Sequence, residues 1–185
     1  VKLFDEIQSL DRVKLAKSLS KSQEKLNRRI KYMIQVNTGN EEQKSKYVPK
    51  LASGEWFGSY CLTEPGAGSD ANSGKTVAKL SDDKKYYLIT GQKIWISNAG
   101  FANLFIVFAR IGDDKNITAF IVPVDLNNGI TLGEEEEKLG IRASSTRQVF
   151  FNETKVPVEN ILGERGGGFK IAINSLNVGR IKLAA

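Results

Sequence analysis

YYLITGQKIWISNAGFANLFIVFARIGDDKNITAFIVPV, residues Tyr86–Val124, is the stretch that decides the fold. Four runs within it, Tyr86–Thr90, Lys93–Ser97, Leu104–Arg110 and Thr118–Val124, are rich in β-branched and aromatic residues. Residues of that kind favour the pleated, half-buried surface of a sheet. Gly112-Asp113-Asp114 supplies a turn between the last two. Outward from this centre the texture persists from Trp56 to about Val158. Phe57–Leu62, Thr76–Leu80, Ile130–Leu132 and Gln148–Phe151 read as further strands, with turns at Ser81-Asp82-Asp83 and Asn127-Asn128-Gly129. Short strands at close spacing, with no helix between them, predict an antiparallel barrel or sandwich.

The flanks are helical. Leu15, Leu19, Leu26, Ile30 and Ile34 recur at spacings of four and seven, which predicts a helix over 11–36. A second helix is expected from Glu41 to about Leu51, with Asn40 as its N-cap and Pro49 near its end. After Glu164-Arg165-Gly166-Gly167-Gly168, the residues Phe169, Ile173, Leu176 and Arg180 begin another helix, which the chain end at Ala185 cuts short. The glycine run reads as a hinge. The class expected is α+β: a helical segment over 1–55, an antiparallel β-barrel over 56–162, and the start of a helical bundle over 163–185.

Composition narrows the chemistry. Of 185 residues, 41% are hydrophobic and 26% charged, as in ordinary folded domains. No apolar run approaches the roughly 18 residues that span a bilayer, and no signal-peptide pattern opens the chain. One Cys excludes an internal disulfide framework and fits a reducing compartment rather than secretion. The chain has no His. That removes Ser-His and Cys-His nucleophiles and, with a single Cys, leaves no zinc site. The net charge of +6 is carried wholly by residues 1–50. Arg12, Lys14, Lys17, Lys21, Lys25, Arg28, Arg29 and Lys31 lie there on the expected helix. They read as a solvated face before an anionic partner such as a membrane or a nucleic acid, since only Tyr32 interleaves among them.

Two stretches carry the functional signal: Tyr60–Asp70 (YCLTEPGAGSD) and Gly91–Gly100 (GQKIWISNAG). Gly66-Ala67-Gly68-Ser69-Asp70-Ala71 fits G-x-G-x-x-G/A, but the dinucleotide fingerprint needs a following helix. Asn72-Ser73-Gly74 follows instead, and then an extended segment. What remains is either a plain turn or a glycine loop that brings backbone N–H groups to a phosphate or flavin edge. Alternation puts Trp95 and Ser97 on one face of a strand, with Ile94 and Ile96 on the other. Trp95 is then either a core residue or a ring packed against a cofactor. Glu134–Glu137 reads as a solvated charge run, and Cys61 as a buried structural thiol.

Six blocks in order resemble the acyl-CoA dehydrogenase family: Gly39–Gly54, Tyr60–Asp70, Gly91–Gly100, Leu139–Thr146 (LGIRASST), Val149–Asn160 and Gly166–Arg180. The ending Leu176-Asn177-Val178-Gly179-Arg180 looks closest to the very-long-chain branch. The resemblance implies three domains, helical, β-barrel and helical bundle, of which this chain is the central part. It implies FAD against the middle domain, lined by Tyr60, Leu62, Thr63, Gly68 and Ser69. Thr63 would hydrogen-bond the flavin ring, and Trp95, Ile96 and Ser97 would cover one face of it. Ser69 would sit where FAD and acyl-CoA meet, and Asn177 and Arg180 would contact the CoA part. The implied reaction is α,β-dehydrogenation of an acyl-CoA thioester: a carboxylate takes the α-proton and the β-hydride passes to the flavin. The implied acceptor of the electrons is an electron-transfer flavoprotein. The resemblance places the family's catalytic Glu beyond Ala185 and so implies no catalytic residue within this sequence. Residues 1–38 depart from the family's usual pattern. A homo-oligomer, dimer or tetramer, is implied for the whole protein, located in the cytoplasm of a bacterium or the mitochondrial matrix of a eukaryote. Neither nucleic acid nor membrane is expected as a partner. An acyl-CoA oxidase and a non-catalytic FAD- or acyl-CoA-binding module are the alternatives.

Overall fold

The computed structural model describes residues 6–7, 31–32 and 39–184, with 6–7, 31–32 and 178–184 as backbone only. Glu6–Ile7 (β1) and Lys31–Tyr32 (β2) are extended and pair in parallel. Lys31 and Tyr32 fall inside the span expected to be helical. Helical periodicity is a weak prior that pairing overrides, and Tyr favours the extended state. The rest of that span, with its row of basic residues, lies outside the described residues.

The first long helix, α1, is Glu41–Ser53. Its start is a reciprocal cap. Asn40 Oδ1 accepts the Gln43 N–H at 2.8 Å, and Gln43 Oε1 accepts the Asn40 N–H at 3.2 Å. Gly54, left-handed at φ 75°, closes the other end. Gln43 also reaches the sheet, where its amide donates to the carbonyls of Glu159 and Ile161 at 2.8 and 2.7 Å. Tyr47 donates to Asn160 Oδ1, and Asn160 donates in turn to the Ile121 carbonyl. The cap and one helix face therefore stitch α1 onto the sheet.

The sheet has eight strands: β3 (Gly58–Cys61), β4 (Val77–Leu80), β5 (Tyr86–Ser97), β6 (Leu104–Ile111), β7 (Ile117–Pro123), β8 (Ile130–Glu135), β9 (Thr146–Pro157) and β10 (Ile161–Leu162). Its hydrogen-bonded order is β10-β7-β6-β4-β5-β9-β8, with β3 beside β6. Two features differ from the expected antiparallel barrel. The path does not close on itself, and β3 and β4 both pair with β6 in parallel. The sheet does curl. Phe120 on β7 meets Tyr87 on β5 edge-on at 5.4 Å, and Phe105 on β6 meets Phe151 on β9 at 6.3 Å. The two runs expected at Tyr86–Thr90 and Lys93–Ser97 are one strand, because Gly91 and Gln92 pair with Phe151 and Phe150 of β9 after a one-residue register shift past Ile89.

The unbroken apolar character of β6 and β7 has a simple cause: both faces are buried. Phe105, Val107, Ala109, Phe120 and Val122 enter a core shared with Ile89, Ile96, Val149 and Val156. Leu104, Ile106, Phe108, Ile117, Ala119 and Ile121 enter a second core with Tyr47 and Leu51 of α1. The last helix, α2 (Gly168–Ala184), adds Ala172 to that second core.

The glycine run that leads into α2 is clamped rather than hinged. Arg165 makes a two-point ion pair with Asp114 (2.7 and 2.8 Å), and the Gly166 N–H donates to Thr118 Oγ1. A Cβ on Gly168 would lie 2.7 Å from the Ile117 carbonyl oxygen and 2.9 Å from the Thr118 carbonyl carbon. Gly168→Ala should therefore lower stability by about 1–3 kcal/mol through overpacking. Gly66→Ala, where a Cβ meets nothing within 4 Å, should stay within about 0.5 kcal/mol of the parent. Urea midpoints of the two variants check the contrast.

Candidate functional site

The site grows from the end of β3. After Cys61 the chain runs through Leu62 and Thr63 to Glu64, whose backbone bonds Ala67 in both directions (3.2 and 3.1 Å) around Pro65-Gly66. Gly66, Gly68, Ser69 and Asp70 are exposed beyond this turn. Among the described residues no acceptor meets the backbone N–H of Gly68, Ser69 or Asp70. A three-residue 3₁₀ turn, Ala71–Ser73, and then β4 follow. With no α-helix after the glycines, the loop is not a dinucleotide fingerprint, in keeping with the sequence reading.

Glu64 points inward. Its carboxylate accepts the Lys75 N–H at 2.5 Å and the Thr76 N–H at 3.2 Å, and lies 2.6 Å from Lys93 Nζ. A Cβ on Gly74 would come within 2.8 Å of Glu64 Oε1, so glycine there lets the carboxylate in. Lys93 arrives from β5 and is 1% exposed. Its ammonium also donates to the carbonyls of Leu62 (3.1 Å) and Phe108 (2.7 Å), which uses all three of its donors. Burial lowers the pKa of Lys93, and the Glu64 carboxylate opposes that. For Glu64 burial acts upward, but the Lys93 charge and the hydrogen bonds from Lys93, Thr76 and Lys75 outweigh it. The net effect holds the carboxyl below the usual range. Cys61, also fully buried, has its thiol pushed far up by desolvation, as a structural thiol should be.

Two residues past Lys93, strand β5 breaks step. Lys93 pairs with Val149, but the next pair is Ile96 with Arg147, so β5 holds one extra residue. Trp95 sits in this bulge at φ +56° and is 64% exposed. A non-glycine residue at positive φ costs on the order of 1–3 kcal/mol and persists only where its surroundings impose it. They do so here. Lys93 and Ile96 are buried on either side, and the Ile94 N–H donates to the Thr63 carbonyl at 3.0 Å. Ser59 Oγ donates to the Ser97 carbonyl at 2.7 Å. The bulge and the end of β3 are thus fastened together.

The residues singled out from the sequence fall into four groups. Thr63, Gly68, Ser69, Trp95 and Ser97 lie on the fastened segments, Thr63 half-buried and the other four exposed. Leu62 and Ile96 are buried in the two cores, so they offer backbone rather than side chain. Tyr60 is half-buried, packs edge-on against Phe108 at 5.1 Å and donates to the Ala172 carbonyl of α2 at 3.4 Å. Asn177 is exposed on α2, and the side chain of Arg180 lies outside the described residues.

Sequence reasoning passed over Lys93 and Glu64. The available signal was a lysine in a strand between apolar neighbours, with a lone acid in the glycine loop. It also passed over Glu135. That acid stands in the run read as solvated, yet it accepts from Arg147 Nε (3.0 Å), Ser145 Oγ (2.9 Å) and the Thr146 N–H. It pins the loop 136–145, whose tip exposes Leu139 and Ile141. Among the described residues no three His, Cys, Asp or Glu side chains gather to hold a metal.

Residues 59–154, just over half of the chain, match the acyl-CoA dehydrogenase middle domain. The chain belongs to the acyl-CoA dehydrogenase family. A probable acyl-CoA dehydrogenase of Bacillus subtilis is 51% identical over 146 residues, which cover 79% of this chain and 24% of that protein. The human mitochondrial very long-chain specific acyl-CoA dehydrogenase is 50% identical over 155 residues, 80% of this chain and 24% of that one. The crystal structure of an acyl-CoA dehydrogenase complexed with FAD from Bacillus anthracis superposes with a TM-score of 0.75 at 50% identity, over 78% of this chain and 24% of that one. The chain thus spans about a quarter of the length of these members of the family.

The depressed pKa of Glu64 has a sign that can be measured. The unfolded carboxyl, near pKa 4.3, binds its proton more tightly than the native one. Stability from this group is therefore complete above about pH 4.3 and is lost as pH falls through the native value. Glu64→Gln should cost about 3–5 kcal/mol near neutrality by leaving the buried ammonium unpaired. The stability gap between parent and variant should narrow on acidification, as read from urea unfolding between neutral and acid pH.

Proposed function

We propose that the whole protein carries out FAD-dependent α,β-dehydrogenation of acyl-CoA thioesters, and that the fastened segments are its flavin site. One observation carries the reading. An exposed tryptophan is held at positive φ next to a loop whose amides are open, and a ring so placed is spared from core packing. The residues fit the cofactor. Trp95 offers a flat apolar face, Thr63 and Ser97 offer hydroxyls, and the N–H groups of Gly68 and Ser69 suit a pyrophosphate. Tyr60, Leu62 and Ile96 support this wall from behind. When bound, FAD supplies the two-electron acceptor. The protein's own groups orient the thioester and exclude water.

The substrate side belongs to Ser69 at the edge of the loop and to Asn177 and Arg180 on α2. The clamped entry to α2 supports that assignment, because it fixes the helix against β7. Proton abstraction falls to a carboxylate outside these 185 residues. Glu64, the acid of the motif, is buried, ion-paired and held ionised below the usual range, which makes it a weak base. The domain boundaries we propose are 55/56 and 162/163: the segment ending in α1 precedes the flavin-binding domain, 56–162 is that domain with its curled sheet as an incompletely hydrogen-bonded barrel, and 163–185 opens a helical bundle. An electron-transfer flavoprotein takes the electrons. The protein is a homo-oligomer of a reducing compartment, the cytoplasm or the mitochondrial matrix.

The purified protein should be yellow and should bleach on anaerobic addition of acyl-CoA. Rapid recolouring in air would identify an oxidase, and a yellow protein that never bleaches would identify a binding module. Trp95→Gly tests the site itself. The apoprotein should melt no lower than the parent, since glycine accepts positive φ freely. FAD affinity should fall roughly 2- to 12-fold with loss of the ring contact. Equal affinity, with parent Trp fluorescence unquenched by FAD, would remove Trp95 from the site.

A further inference from the structure

A charge in the interior is an odd choice for β5. At the same depth the strand presents Ile89 and Ile96, and an aliphatic side chain at 93 would extend that core without desolvating an ion. A buried ion pair is weak as a source of stability, because desolvation consumes most of the attraction. Its worth lies in direction and length. Lys93 Nζ reaches three points, the Leu62 carbonyl, Glu64 Oε1 and the Phe108 carbonyl, all within 3.1 Å. Two of them belong to the segment that becomes the glycine loop, and the third to β6. Glu64 then grips the far end of that loop through the N–H groups of Lys75 and Thr76. The chain just before Pro65 and just after Gly74 is thereby tied to one ion pair, two residues before Trp95, with the glycine loop between the two ties.

We propose that Lys93 and Glu64 are positioning residues of the cofactor site: the pair sets the spacing between the Trp95 bulge and the Pro65–Asp70 loop, so that ring and amides engage the two ends of one flavin nucleotide together. The assignment to flavin rests on the function proposed above. The coupling between bulge and loop does not.

The test compares two variants of the whole protein. Lys93→Met with Glu64→Gln removes both charges and keeps an acceptor for Lys75 and Thr76. Leu162→Ala removes a buried side chain from the second core and serves as a destabilised control. FAD affinity is read by fluorescence titration, and amide hydrogen exchange is read in the apoprotein. The pair variant should bind FAD about tenfold or more weakly, since ligand sites tolerate little misplacement. Its amides in 65–70 and 94–96 should exchange faster. Leu162→Ala, which lowers stability through the second core without touching the ion pair, should bind FAD within about twofold of the parent, with those amides unchanged. Lys93→Arg, which keeps the charge but alters its reach, should weaken FAD binding while retaining most of the stability, and it carries the test where the double variant does not fold. If the affinity loss of the pair variant merely equals that of Leu162→Ala, or if the two segments exchange as in the parent, the pair is structural only and the proposal falls. If the parent binds no FAD yet the pair variant still loosens both segments, the flavin reading falls and the coupling stands.

Discussion

The Lys93–Glu64 ion pair is the constraint on which the rest of the site depends. It joins three things that the chain order keeps apart: the end of β3, the start of β4 and the middle of β5. Without a charge at 93, the carbonyls of Leu62 and Phe108 would lose a buried donor. Without Glu64, the N–H groups of Lys75 and Thr76 would lose their acceptor. Each such orphan costs about as much as a lost hydrogen bond and its desolvation. The loop is therefore held from inside, which frees its outer surface from any part in holding the fold. That division, polar anchors within and open amides without, lets an exposed glycine loop keep one shape.

The sheet makes this possible by having two interiors. β6 and β7 are buried on both sides, so β6 can present Phe108 to the helix-covered core while its carbonyl receives Lys93. The curl of the sheet brings β5 and β9 over the other face. Helix α1 reaches the same region through Gln43 and Tyr47, both of which end on the segment around Asn160. A single short stretch, Glu159–Ile161, thus receives the first long helix and feeds the sheet edge at β10.

Much of this was legible in the sequence. The cap at Asn40 could be read because capping chemistry is local. The strands could be read because β-branched runs between turn residues are local as well. The glycine loop and Trp95 could be singled out by residue type, and the alternation that set Trp95 apart from Ile96 agrees with their burial. What escaped was long-range. The bulge at Trp95 follows from register with β9, and no periodicity in β5 announces it. Glu135 reads as one of four equivalent acids until Arg147 and Ser145 fold back onto it. Gly168 reads as part of a flexible run until its missing side chain proves to be the room that the Ile117 carbonyl needs. The open, partly parallel sheet likewise depends on pairings between segments far apart in sequence. Leu62 and Ile96 were picked out with the exposed residues, yet burial separates them from that group.

The close contact at Gly168 works as the fulcrum of a lever. A helix rises about 1.5 Å per residue, so position 180 stands about 18 Å along the axis from position 168. A tilt that moves the first turn by a fraction of an ångström is multiplied several-fold at that distance. Setting a backbone-to-backbone contact at the near end is thus a way of aiming the far end. The missing methyl group of one glycine governs where the helix axis lies three turns away.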